Sequence, residues 1–145
     1  YDVDLTYITS RGHWYHHSWK GEISKSGGIA TNIGIHFFDM LIWVFGEVKQ
    51  SSLLESAESK ASGQLKLNQA NVSWKLSVDY EDIPGKLKRE GKRTYRSLKL
   101  DGEEVEFSDG FGDLHEKSYA GILKNNGFGL NESKKSIEVV HCFRG

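Results

Sequence analysis

Residues Ile35-His36-Phe37-Phe38-Asp39 place a histidine and a carboxylate three apart in an apolar run, and Asn32 precedes the histidine by four. At helical spacing the three side chains share one face. A histidine with a polar neighbour to orient it is what proton transfer near neutral pH requires. The same His and Asp could equally satisfy one another inside a core, and spacing leaves both readings open. Just ahead of them stands Ser26-Gly27-Gly28. Two glycines before a helix let backbone approach a ligand, at an end that favours negative charge, or they only turn the chain.

Further upstream, residues 11–20 carry Arg11, Trp14, Tyr15, Trp19 and Lys20 together with His13, His16 and His17. Aromatic planes beside cations suit a sugar ring, a base or a phosphate. The same composition suits a protein interface. With His36 and Asp39 these histidines include the ligand types of zinc. His16 and His17 are adjacent, however, and no HExxH-like spacing occurs, so no metal is expected. Asp113-Leu114-His115 opens a late helix, with Asp113 placed for the helix dipole. Cys142 falls on the last helix, where a half-buried structural role is expected.

The elements that must position these residues follow from local patterns. Residues 3–9 alternate as a half-buried strand, residues 10–21 form a polar aromatic loop, and residues 29–45 carry Ile33, Phe37, Phe38, Leu41, Ile42 and Phe45 at helical spacing before Gly46. Alternation predicts strands at 48–58, 61–67 and 70–78, the last two joined by a turn at Asn68-Gln69. Residues 81–91, with Pro84, read as a surface loop. Strands at 93–100 and 104–107 flank Asp101-Gly102, a strong hairpin signal. Helices are expected at 112–125 and 132–143, the second capped by Asn131. An early helix, a block of strands and a late helical pair predict an α+β fold, a mostly antiparallel open sheet with helices packed on one face.

Composition excludes several function classes. The net charge of −1 gives no general pull toward nucleic acid or anionic membrane, and neither partner is expected. The longest apolar run, residues 37–45, is broken by Asp39 and is too short to cross a bilayer. A single cysteine forbids an internal disulfide and fits a reducing compartment, so a cytoplasmic location is expected. The 145 residues suffice for one domain with a core of its own. The chain starts within a strand, as a piece cut from a longer polypeptide would. There is no GxGxxG after a strand, no P-loop and no GxSxG.

The segment Gly27-Gly28-Ile29-Ala30-Thr31-Asn32-Ile33-Gly34-Ile35-His36-Phe37-Phe38-Asp39 resembles the GG-x3-[DN]-x-G-x-H-x2-D pattern of the glucose–fructose oxidoreductase and inositol dehydrogenase (Gfo/Idh/MocA) superfamily. Within it, the chain is similar to the UDP-N-acetyl-2-amino-2-deoxyglucuronate 3-dehydrogenases over residues 12–21, 27–46, 98–107 and 111–140, including Asp113-Leu114-His115 and Gly127-Phe128-Gly129-Leu130. The resemblance implies a two-domain enzyme. Residues 1–145 would be its C-terminal substrate and oligomerisation domain, and an N-terminal Rossmann domain, absent from this chain, would bind NAD. His36 matches the superfamily's active-site histidine, which works with a lysine from the Rossmann domain. Asn32 stands where many members carry Asp. By the same likeness Arg11, Trp14, Tyr15, Trp19 and Lys20 would wall in a nucleotide-sugar, Asp39 would orient the site, and Gly27 and Gly28 would approach the cofactor. The open sheet face, with Trp74, would pair copies into a homo-oligomer. The implied activity is NAD-dependent oxidation of a UDP-N-acetylamino-sugar uronate at C3, with this chain alone turning over nothing. The alternatives are another sugar, an inositol or an aldehyde as substrate, or a non-catalytic domain for sugar binding or association.

Overall fold

Alternation in the opening residues builds the strand β1 (Asp2–Thr9), whose Val3 and Leu5 are buried. A computed structural model describes residues 1–106 and 113–144. After β1 come two single-turn helices, α1 (Trp14–His17) and α2 (Ile23–Ser26), in the segment expected to be loop and turn. The apolar helix then runs as a π turn, Ala30–Gly34, continued by α3 (Ile35–Phe45). β2 (Val48–Ser56), β3 (Lys60–Leu67) and β4 (Asn71–Ser77) form an antiparallel meander. The surface segment that follows holds a 3-10 turn, Tyr80–Asp82, and α4 (Gly85–Arg89). β5 (Thr94–Leu100) and the short β6 (Glu103–Glu104) close a hairpin on Asp101 and Gly102, both at positive φ. The predicted end of that strand at Phe107, and the start of the next helix at Gly112, lie outside the described residues, as does part of the likeness over 98–107 and 111–140. α5 (Leu114–Leu123) and α6 (Leu130–Phe143) follow.

The sheet order is β2-β3-β4-β1-β5-β6. It is mixed, because β1 lies parallel to β4, while the other pairings among the described residues are antiparallel. Helices α3 and α6 pack on one another over a single face of it, which is the α+β arrangement expected. The core is aromatic: Phe38 sits 5.1 Å from Trp74 and 5.7 Å from Phe143, ring centre to ring centre. Trp74 therefore points at the helices and is buried, not on the open face. The pleat explains this correction, since Trp74 is in register with Leu5 and Gly63, which belong to the helix-covered face. The open face carries Asp4, Gln64, Lys66, Ser73 and Lys75, all exposed.

Other expectations also change. Cys142 is exposed, because Ser136, Val139 and Val140 form the buried stripe of α6 and Cys142 falls off it. Gly129, not Asn131, precedes α6, its N–H donating to Glu132 Oε2 at 2.8 Å. The helical stretch Ile23–Phe45 has the length and apolarity of a membrane span. However, Gly27 and Gly28 turn it at φ of +75° and +79°, which suits glycine. Its Phe38 and Leu41 lie under the sheet, so it is a core helix.

The 3-10 turn is tied to the opposite face of the sheet. The buried Ser77 hydroxyl donates to Asp82 Oδ2 at 2.6 Å, and Lys60 Nζ lies 2.9 Å from Asp82 Oδ1. Burial pushes the Asp82 carboxyl up, but the bonds from Ser77 and Lys60 outweigh it and hold the group below its usual range. A carboxyl depressed in the native state stabilises the fold above its unfolded pKa. That stability is lost as pH falls through the native value. Thermal melts should therefore drop as pH is lowered below about 4, the usual Asp value, and less steeply in Asp82→Asn. An equal acid slope in both proteins would refute the assignment.

Candidate active site

β1 leads into the loop of residues 10–21, and residues of both line a cavity together with residues of α3. The backbone N–H of Arg11 donates to the Val78 carbonyl at 3.1 Å, and that of Ser10 to Arg93 at 2.8 Å, so the loop is anchored to the strand ends on both sides. It closes on itself through Ser18, whose hydroxyl donates to the Tyr15 carbonyl at 2.8 Å. His16 Nδ1 lies 3.0 Å from Glu58 Oε1, which ties the loop to the end of the β2–β3 hairpin. Tyr15 is consequently the buried residue of α1, although it belongs to a segment rich in polar groups.

Between loop, helix and sheet lies a cavity of about 530 Å³ lined by Arg11, Trp14, Tyr15, Lys20, Asn32 and His36, with Tyr7, Ile33, Phe37, Met40 and Arg96. Asn32 sits inside the π turn, where one extra residue per turn widens the helix, a feature frequent at functional sites. Its amide donates to the Tyr15 hydroxyl at 3.3 Å, so loop and helix fix one another at the cavity wall. Positions 33, 36, 37 and 40 form one stripe of the helix facing the cavity. Among the described residues the ionisable lining is His36, the cations Arg11, Lys20 and Arg96, and the phenols, with no carboxylate. Such a wall favours an anionic ligand that also presents hydroxyls.

Not every expected residue arrives there. Asp39 is exposed beside the cavity stripe and makes no hydrogen bond to His36. Trp19 is also outside the lining, with Lys20 Nζ 5.8 Å from its ring centre. Gly27 and Gly28 are not among the lining residues; they form the turn after α2. A Cβ at Gly27 would strike Thr31 and Arg144 at 2.7 and 2.9 Å, so its space is taken by this chain. At Gly28 it would meet only Ile23, at 4.0 Å, and the backbone stays approachable. Among the described residues no group of three or more His, Cys, Asp or Glu side chains could hold a metal ion. Tyr7 and Arg96 were missed in the sequence. Tyr7 carried a signal, as the next inward position after Val3 and Leu5. Arg96 carried none, because only the β1–β5 register places it beside Tyr7.

The family model described as "Oxidoreductase family, C-terminal alpha/beta domain" matches residues 1–83, more than half of the chain. The chain belongs to that family. Crystal structures of the WlbA (WbpB) dehydrogenase from Thermus thermophilus resemble this oxidoreductase-family domain over 99% of its length. One, in complex with NAD and α-ketoglutarate, is 51% identical with a TM-score of 0.92. Another, in complex with NAD and UDP-GlcNAcA, is 50% identical with the same TM-score. The domain spans 46% of those chains, about half their length. The dehydrogenase MviM from Clostridium difficile, at 10% identity and a TM-score of 0.50 over 98% of the domain, shares the fold.

Proposed function

We propose that this domain is the substrate side of an NAD-dependent sugar-nucleotide dehydrogenase, and that further chain of the same polypeptide supplies the NAD-binding half. The substrate class is a UDP-N-acetylamino-sugar uronate, oxidised at C3. One observation carries the reading: His36 and Asn32 line, from one helix, a cavity whose remaining charges among the described residues are all cationic. A diphosphate, a uronate carboxylate and a ring of hydroxyls fit that wall. The ligands of the Thermus relatives, UDP-GlcNAcA and α-ketoglutarate, support it, since both carry carboxylates.

Bound NAD would supply a hydride acceptor. The residues that fit its approach are the open backbone at Gly28 and the exposed edge of His36. Oxidation breaks the C3–H bond with its electron pair and the hydroxyl O–H bond as a proton, leaving a ketone. His36 takes the proton as the bond breaks and later passes it to water. The Asn32 amide, held by Tyr15, orients a sugar hydroxyl toward that histidine. Arg11 and Lys20, on the loop, hold the diphosphate.

The test is NADH absorbance after mixing the full-length polypeptide with NAD and UDP-N-acetylglucosaminuronic acid. NADH formation is expected. Its absence in a polypeptide that binds NAD would overturn the substrate assignment.

A further inference from the structure

Arg96 differs from the other cations of the cavity in how it is held. It leaves β5 in register with Tyr7 of β1, on the helix-covered face of the sheet, and its guanidinium carbon lies 5.6 Å from the centre of the Tyr7 ring. Tyr7 packs on Phe37 with ring centres 4.9 Å apart, and Phe37 follows His36 in α3. A continuous stack thus joins the guanidinium to the helix that carries the histidine. No acidic side chain pairs with Arg96 among the described residues.

The other two cations are placed differently. Arg11 comes from the loop and also lines a neighbouring hollow with His16 and Glu58. Lys20, on the same loop, has its ammonium beside the Trp19 ring. Both belong to the loop side of the cavity. Arg96 comes from a paired strand, so its position is set by the sheet. A planar guanidinium stacked on a tyrosine ring, with no carboxylate partner among the described residues, can grip a carboxylate through two parallel N–H bonds, which an ammonium cannot do.

We propose that Arg96 reads the carboxylate of the sugar ring, with Tyr7 as its positioning residue. The proposal rests on the uronate substrate inferred above. In a uronate sugar the carboxylate and the reacting hydroxyl belong to one six-membered ring. A two-point grip on the carboxylate therefore fixes the ring's rotation and presents C3 to His36. Arg96 is then the residue that prefers a uronate over the same sugar with a hydroxymethyl group.

The experiment measures affinities of the full-length polypeptide, with NAD bound, for UDP-N-acetylglucosaminuronic acid and for UDP-N-acetylglucosamine. Unsubstituted protein, Arg96→Gln and Arg96→Lys are compared. The unsubstituted protein should prefer the uronate. That preference should fall about 100-fold in Arg96→Gln, the size expected for losing hydrogen bonds to a charged group. In Arg96→Lys it should fall about 10-fold, since charge remains but the fork is lost. An equal weakening of both ligands in Arg96→Gln would overturn the proposal, as would an unsubstituted protein with no preference or no binding. NADH formation is followed in the same samples. Tight uronate binding without turnover would sink the dehydrogenase reading, while the affinities would still decide the role of Arg96.

Discussion

Replacing His36 by alanine in the full-length polypeptide should slow NADH formation by roughly 10²- to 10⁴-fold, the range for losing a positioned acid–base group. The sugar's KM should change little. His36 acts on a proton that moves only in the transition state, so kcat and kcat/KM should fall together. The side chain lies at an exposed position of α3, while the core residues of that helix are Phe38 and Leu41, so the fold should survive the change. A matching melting temperature would confirm that the loss is chemical. His36→Gln, which keeps a polar group but cannot shuttle a proton near neutral pH, should be nearly as slow. Turnover within a few-fold of the unsubstituted protein in both variants would leave a binding or association domain as the better reading. Asp39→Asn provides the contrast: Asp39 is exposed outside the cavity and makes no bond to His36, so its effect should be far smaller.

The second large effect concerns stability. Trp74→Ala should destabilise the 145-residue chain by about 3–5 kcal/mol, the cost of emptying a large aromatic site in a core. Trp74 packs between Phe38 and Phe143, and it closes over Gly63, where a Cβ would come within 2.5 Å of the indole and strike the Ser52 carbonyl. The loss would therefore unseat α3 and α6 together. The indole N–H is buried with no hydrogen-bond partner among the described residues. Trp74→Phe removes that unpaired donor along with part of the ring, so it should cost clearly less than the alanine change. Denaturant unfolding of the three proteins measures both differences. Equal losses in the two variants would refute this account, since a phenyl ring at this position would then contribute nothing over a methyl group.

How far the sequence is legible depends on the range of the interaction concerned. The helix of residues 29–45, the meander with its turn at Asn68-Gln69 and the Asp101-Gly102 hairpin were all readable, because periodicity and turn chemistry act between near neighbours. The stripe holding Asn32, His36 and Phe37 was readable for the same reason. Even so, the π turn and the exposed place of Asp39 were not, since a local widening of the helix leaves the residue pattern unchanged. The loop of residues 11–20 was recognisable as aromatic and cationic. Which of its rings would be buried was decided by contacts with distant residues: Tyr15 meets Asn32, and Trp19 stays outside.

By itself, then, the sequence determined the α+β class, the helix that carries His36, and the motif that marks the family. Only the tertiary structure decided that β1 sits between β4 and β5, parallel to the first, and that Trp74 faces the helices. It alone decided that Tyr7 and Arg96 complete the cavity across a strand pairing of residues 89 apart in the chain. Strand neighbours and sheet faces are chosen by burying apolar surface over the whole domain. That choice couples residues whose local sequences hold no record of each other.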